Sequence, residues 1–144
     1  MAKGSGWTTL AALSFVGASI AFAPTALRSA DNAPTKNDEG KYMAADGVPT
    51  YLIGADGTVD WYTFSGYRRY HSECHVCHGP DGEGSSYAPA LAQSMKTLTY
   101  EQFLDVVVNG RQKVNAAQQQ VMPAFATNQN VMCYIDDLYI YLKA

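Results

Sequence analysis

A chain of 144 residues, 47% of them apolar, has room for one domain-sized core but not for two ordinary domains. Its formal charge of −3 and the lack of any basic run exclude a protein built around nucleic-acid phosphates. Charged residues make up only 16%, while Gly and Tyr number 12 and 10, a mix that suits a short chain wrapped around a large apolar group.

Lys3 is the only charge ahead of an apolar run from Leu10 to Ala23, small residues follow, and the first acid is Asp31. This is the layout of a secretory signal over residues 1–30, and it predicts a periplasmic destination. The run is shorter than the roughly 20 residues of a spanning helix, so no permanent membrane span is expected once it is processed. Ala21-Phe22-Ala23 has the small-x-small form, but Pro24 opposes cutting there, which leaves Ala26 and Ala30 as alternatives. Processing would remove Lys3 and Arg28 and no acid, making the remainder two units more negative.

Residues 31–61 read as a leader and hairpin extension. Asp31 to Gly40 has no periodicity and is expected to be flexible. Thr50 to Ile53 and Thr58 to Trp61, separated by Gly54-Ala55-Asp56-Gly57, predict a short β-hairpin packed on the body of the domain.

The spacing turns helical from about Tyr62 to Cys77, with Gly66, Tyr70, Cys74 and Cys77 on one side. Gly79 to Pro89 is a loop. Thr99 and Gln102 match a capping box ahead of the apolar face Tyr100, Phe103, Leu104, Val107 and Val108, and Asn109-Gly110 ends that helix. Gln118-Gln119-Gln120 reads as loop. A last helix runs from Asn128 or Asn130 to about Leu142, with Val131, Ile135, Leu138 and Leu142 facing the core.

Chemistry concentrates at Cys74-His75-Val76-Cys77-His78, a covalent haem-attachment pattern. Two thiols one helical turn apart can add to the two porphyrin vinyl groups, and the adjoining His78 then lies under the iron as an axial ligand. Zinc would need four tetrahedral ligands, and the distant Cys133 or His71 would have to complete the set. A redox dithiol would need a preceding strand and a βαβ context, which is lacking. The cofactor expected is therefore one covalent haem c.

Four methionines beyond the initiator compete for the sixth position. Met43 precedes the motif, Met95 follows the loop and Met132 lies in the last helix. Met122 sits in Val121-Met122-Pro123-Ala124-Phe125, where Pro123 stiffens the chain just after the sulfur, and it is the expected second ligand. His71 and His75 are placed wrongly on the helix to reach the far face. Pro89 is expected to accept the other ring N–H of His78 through its carbonyl. Arg111 is a candidate partner for a haem propionate, with a solvent-exposed helix-end cation as the equal alternative.

Gly66 to Leu142, through Gly66, Tyr70, the haem motif, Ala88-Pro89-Ala90-Leu91, Asn109-Gly110-Arg111, Met122-Pro123-Ala124-Phe125, Leu138 and Tyr141, resembles the class I c-type cytochromes. That resemblance implies an all-α fold around one haem over residues 62–144, with first and last helices crossing at Gly66. Gly47 to Tyr51, Trp61 to Tyr70 and Asn130 to Tyr139 resemble the methanol-metabolism-related, cytochrome c-L-like carriers. Those accept electrons from PQQ-dependent alcohol dehydrogenases and pass them to a further cytochrome or oxidase. The resemblance thus implies an electron-transfer protein, not an enzyme; a haem enzyme or redox sensor with an open distal site is the alternative. Cys133, left over after haem attachment, is expected to be buried under the leader or hairpin, with an intermolecular thiol contact as the rival.

Overall fold

The computed structural model describes residues 33–115 and 118–144. The expected signal segment, 1–30, lies outside them.

The leader is more structured than its composition suggests. Strands β1 (Thr35–Lys36) and β2 (Tyr42–Met43) pair antiparallel, with Thr35 opposite Met43 and Lys36 opposite Tyr42. Asn37 builds the turn, its side-chain oxygen accepting from the backbone N–H of Glu39 (3.1 Å) and Lys41 (2.8 Å). Side-chain hydrogen bonds of this kind let Asn mimic a backbone turn. The hairpin expected at 50–61 shrinks to one antiparallel bridge, Ile53 with Val59, closed by Gly54 N–H donating to Thr58 O at 2.7 Å.

Helix α1 (Trp61–Glu73) begins at Asp60, which accepts from the N–H groups of Tyr62 and Thr63 at 2.9 and 3.1 Å. Its other carboxylate oxygen accepts from Leu52 N–H at 2.9 Å, so one side chain caps the helix and ties the preceding turn to it. Burial alone would raise the Asp60 pKa; the bonds from Leu52, Thr63 and Tyr62 outweigh it and hold the carboxyl below its ordinary range. Helix α2 (His75–His78) carries the haem motif and ends at Gly79. A one-turn helix, α3 (Leu91–Ser94), follows the glycine-rich loop.

Helix α4 (Tyr100–Asn109) has the expected capping box, with Thr99 Oγ1 accepting from Gln102 N–H and Gln102 Oε1 from Thr99 N–H. Strands β3 (Arg111–Asn115) and β4 (Gln118–Met122) form an antiparallel hairpin where a loop was expected. The last helical region is broken in two, α5 (Gln129–Met132) and α6 (Ile135–Lys143), because Tyr134 leaves helical dihedrals at φ −130° and ψ 24°.

Helices α1 and α6 cross at Gly66, where an added Cβ would overlap the Asp137 carbonyl and come within 2.7 Å of Tyr141 Cβ. The buried core joins Tyr70 of α1, Met95, Phe103 and Val107 of α4, Val131 of α5, and Leu138 and Tyr139 of α6. Lys41 fastens the N-terminal segment to this body, its ammonium 2.7 Å from Asp136 and 4.0 Å from Asp137. No helix among the described residues is long and apolar enough to cross a membrane.

Candidate functional site

The core opens into an apolar cavity of about 550 Å³, part of it continuous with solvent. Cys74 and His78 stand on one part of its wall, Leu91, Met95 and Leu98 on another. Phe103, Val106 and Val107 of α4, Met122 and Phe125, and Val131, Leu138 and Leu142 complete it.

His78 is the best-fixed group there. It is buried, and its Nδ1 lies 2.9 Å from the Pro89 carbonyl, so that N–H donates and Nε2 becomes the basic nitrogen. Among the described residues Nε2 has no hydrogen-bond partner. Pro89 is held in turn by the loop: Gly84 N–H donates to His78 O at 2.8 Å, and a Cβ on Gly84 would lie 2.9 Å from the Pro89 carbonyl carbon. Gly84 has φ +82°, a conformation open to glycine. Tyr70 adds a second brace, its hydroxyl donating to Gly79 O just after the motif; burial pushes that phenol up to about 12 and keeps it a donor. Ser85 Oγ donates to Cys77 O at 2.5 Å.

Burial pushes the Cys74 thiol up to about 12, assisted by the charges of Glu73 and Cys77. Cys77 is exposed. A half-buried thiol beside an exposed one is poorly suited to a closed thiolate metal site. Among the described residues no cluster of three or more His, Cys, Asp or Glu could hold a metal ion. The donor set that is present, two thiols on one turn, a buried imidazole with one free nitrogen and an apolar hollow, fits a covalently attached porphyrin.

Met122 reaches the same cavity from the end of β4. Gly110 makes this possible: with φ +73°, it packs where a Cβ would come within 2.6 Å of Met122 O and 2.9 Å of the Pro123 carbonyl carbon. Phe125 N–H donates to Val107 O at 3.0 Å, clamping the Met-Pro segment to the end of α4. Met95 lines the cavity too, from the C-cap of α3, and is more deeply buried. Arg111 is exposed, pairs with Met122 across the β3–β4 ladder and does not line the cavity.

His71 and His75 also stay outside the lining, stacked on each other with ring centroids 5.7 Å apart. Cys133 is exposed at the C-cap of α5, which corrects the expectation that it is covered. The bracing roles of Gly84, Gly110 and Ser85 were missed in the sequence; a glycine-rich run after a haem motif was the available signal.

Residues 64–142 match the family model described as cytochrome c oxidase, cbb3-type, subunit III. Over 114 residues the chain is 58% identical to cytochrome c-553I of Paracoccus denitrificans, covering 79% of this chain and 50% of that protein. Over 86 residues it is 42% identical to cytochrome c-555 of Methylococcus capsulatus, covering 59% of this chain and 63% of that relative. The chain thus spans only about half to under two thirds of these curated relatives. The solved structure of the c-type cytochrome XoxG from Methylobacterium extorquens AM1 superposes with a TM-score of 0.71 at 56% identity, covering 79% of this chain and 69% of that one. Motif, cavity and kinship agree that the chain belongs to the class I c-type cytochromes, electron-transfer proteins with covalently bound haem.

Proposed function

We propose that this cytochrome is a periplasmic one-electron carrier that is reduced by a PQQ-dependent methanol or alcohol dehydrogenase and reoxidised by a further cytochrome or an oxidase. In this reading Cys74 and Cys77 would hold the haem through thioether links, and His78 and Met122 would hold its iron. The Pro89 carbonyl orients His78, and Arg111 is the charge partner of a propionate. The observation that carries the reading is one apolar cavity lined by both His78 and Met122, with His78 Nδ1 engaged by Pro89.

The haem supplies an iron that gains and loses one electron, with no bond chemistry on a substrate. The chain sets how readily that happens. A His78 ring held through Nδ1 presents Nε2 at fixed orientation and raised basicity. A thioether as second ligand, in an apolar surround, favours the reduced state and raises the potential. The donor assignment is supported by the resemblance of three segments to methanol-metabolism-related carriers and by the likeness to cytochromes of Methylococcus and Methylobacterium.

The test is to mix the oxidised holoprotein with a PQQ-dependent methanol dehydrogenase and methanol, and to follow reduction at the haem absorption bands. Reduction at micromolar carrier, dependent on both enzyme and methanol, is expected. Absence of reduction, with the holoprotein still reducible by dithionite, would remove the donor assignment and leave the carrier.

A further inference from the structure

A second cavity lies at the junction of α1 with the α5–α6 break and shares no lining residue with the haem cavity. It holds about 350 Å³ of space, partly open, between Trp61, Ser65, Arg68, Arg69 and Tyr134. Two arginines thus line one hollow in a protein whose overall charge is negative. Among the described residues the salt bridges are those of Lys41 with Asp136 and Asp137, and neither arginine has a carboxylate within 4.0 Å. Arg69 is the more telling of the two. Its guanidinium carbon lies 3.8 Å from the centroid of the Tyr134 ring, and its Nε is buried with no hydrogen-bond partner.

A buried donor on a charged group without an acceptor is unfavourable, and here the residue that carries it lines the hollow. Arginine presents a planar fork of donors that matches a carboxylate with two parallel bonds. Trp61, 66% exposed at this hollow, and Tyr134 supply aromatic surface that suits a flat ligand better than a tetrahedral one. From these observations we infer that the pocket is a binding site for a small planar carboxylate, held by Arg68 and Arg69 against Trp61 and Tyr134. Its place on α1, the helix that leads into the haem motif, puts the bound anion on the element that positions Cys74.

The inference is tested on the reduced, diamagnetic holoprotein by following the Trp61 indole and Ser65 amide signals by nuclear magnetic resonance. Acetate, benzoate, inorganic phosphate and chloride are added at constant ionic strength. Saturable shifts with acetate and benzoate are expected, benzoate binding the more tightly. Arg69→Lys keeps the charge and loses the fork, and Arg68→Gln loses the charge; each should weaken binding at least about tenfold, while Lys96→Ala leaves it unchanged. An unaltered haem spectrum in each variant shows that the fold is intact. Shifts that chloride reproduces, phosphate binding tighter than benzoate, or full affinity in Arg69→Lys would overturn the site. So would an acidic peptide that binds where the free carboxylates do not.

Discussion

At Gly66 a single hydrogen faces the Asp137 carbonyl, and any side-chain carbon there would overlap it. Gly66→Ala therefore has to push α1 and α6 apart, with a cost of about 1–3 kcal/mol or more. Denaturant unfolding of the holoprotein should show this as a lower midpoint with an unchanged slope. The two methionines on the cavity wall call for a sharper comparison. Met122 sits at the end of a strand beside Pro123, whereas Met95 is 3% exposed and belongs to the packed core. Met122→Ala should lower the potential and let imidazole or azide bind. Met95→Leu, nearly volume-conserving, should change stability by under about 1.5 kcal/mol and leave potential and spectrum native. The reverse pattern would move the ligand assignment to Met95.

At the scale of elements, legibility followed the range of the forces involved. The capping box at Thr99 and Gln102 and the haem motif are each fixed within a few residues and were visible, whereas the crossing at Gly66, a contact with distant Asp137, came only through the family resemblance. The β3–β4 hairpin was not: Gln118-Gln119-Gln120 has no alternation and no β-branched residue, and its pairing is seen only with Arg111–Asn115 in place. The ordered leader was also hidden, because its anchor reaches from Lys41 to Asp136, 95 residues away. Nor does any Gly or Pro mark the break at Tyr134. Lys41→Met should test the anchor. It strips the cation from a buried Asp137 and a part-buried Asp136, at a cost of about 1–3 kcal/mol, and proteolysis around residues 35–43 should quicken. Asp60→Ala removes the α1 cap and the tie to Leu52 together, about 1 kcal/mol or somewhat more at neutral pH. The folded Asp60 carboxyl titrates below its ordinary value, so its contribution is complete above that value and is lost as pH falls through the lowered one. The gap between wild type and Asp60→Ala should accordingly be full above the ordinary carboxylate value and narrow as the pH falls below it.

At the scale of the whole molecule, an acidic carrier has two ways of finding a redox partner, and only one of them is sensitive to salt. Its formal charge of −3 can steer encounter with a basic surface. Around the haem motif, however, Val76 is 76% and Tyr87 71% exposed, and apolar side chains of this kind dock without regard to ionic strength. Charge acts over many ångströms and governs the association rate, whereas apolar contact acts only after encounter and governs dissociation. Raising ionic strength from about 0.01 M to 0.15 M shortens the Debye length from about 30 Å to 8 Å. With a basic surface on the proposed donor, the bimolecular rate of reduction should therefore fall steeply over that range, while Val76→Ser should leave the salt slope alone and weaken the complex. Stopped-flow measurement of both proteins across the series checks this. A flat salt profile for the wild type, with a large loss in Val76→Ser, would show that the apolar rim brings the partners together and that the acidity serves another purpose.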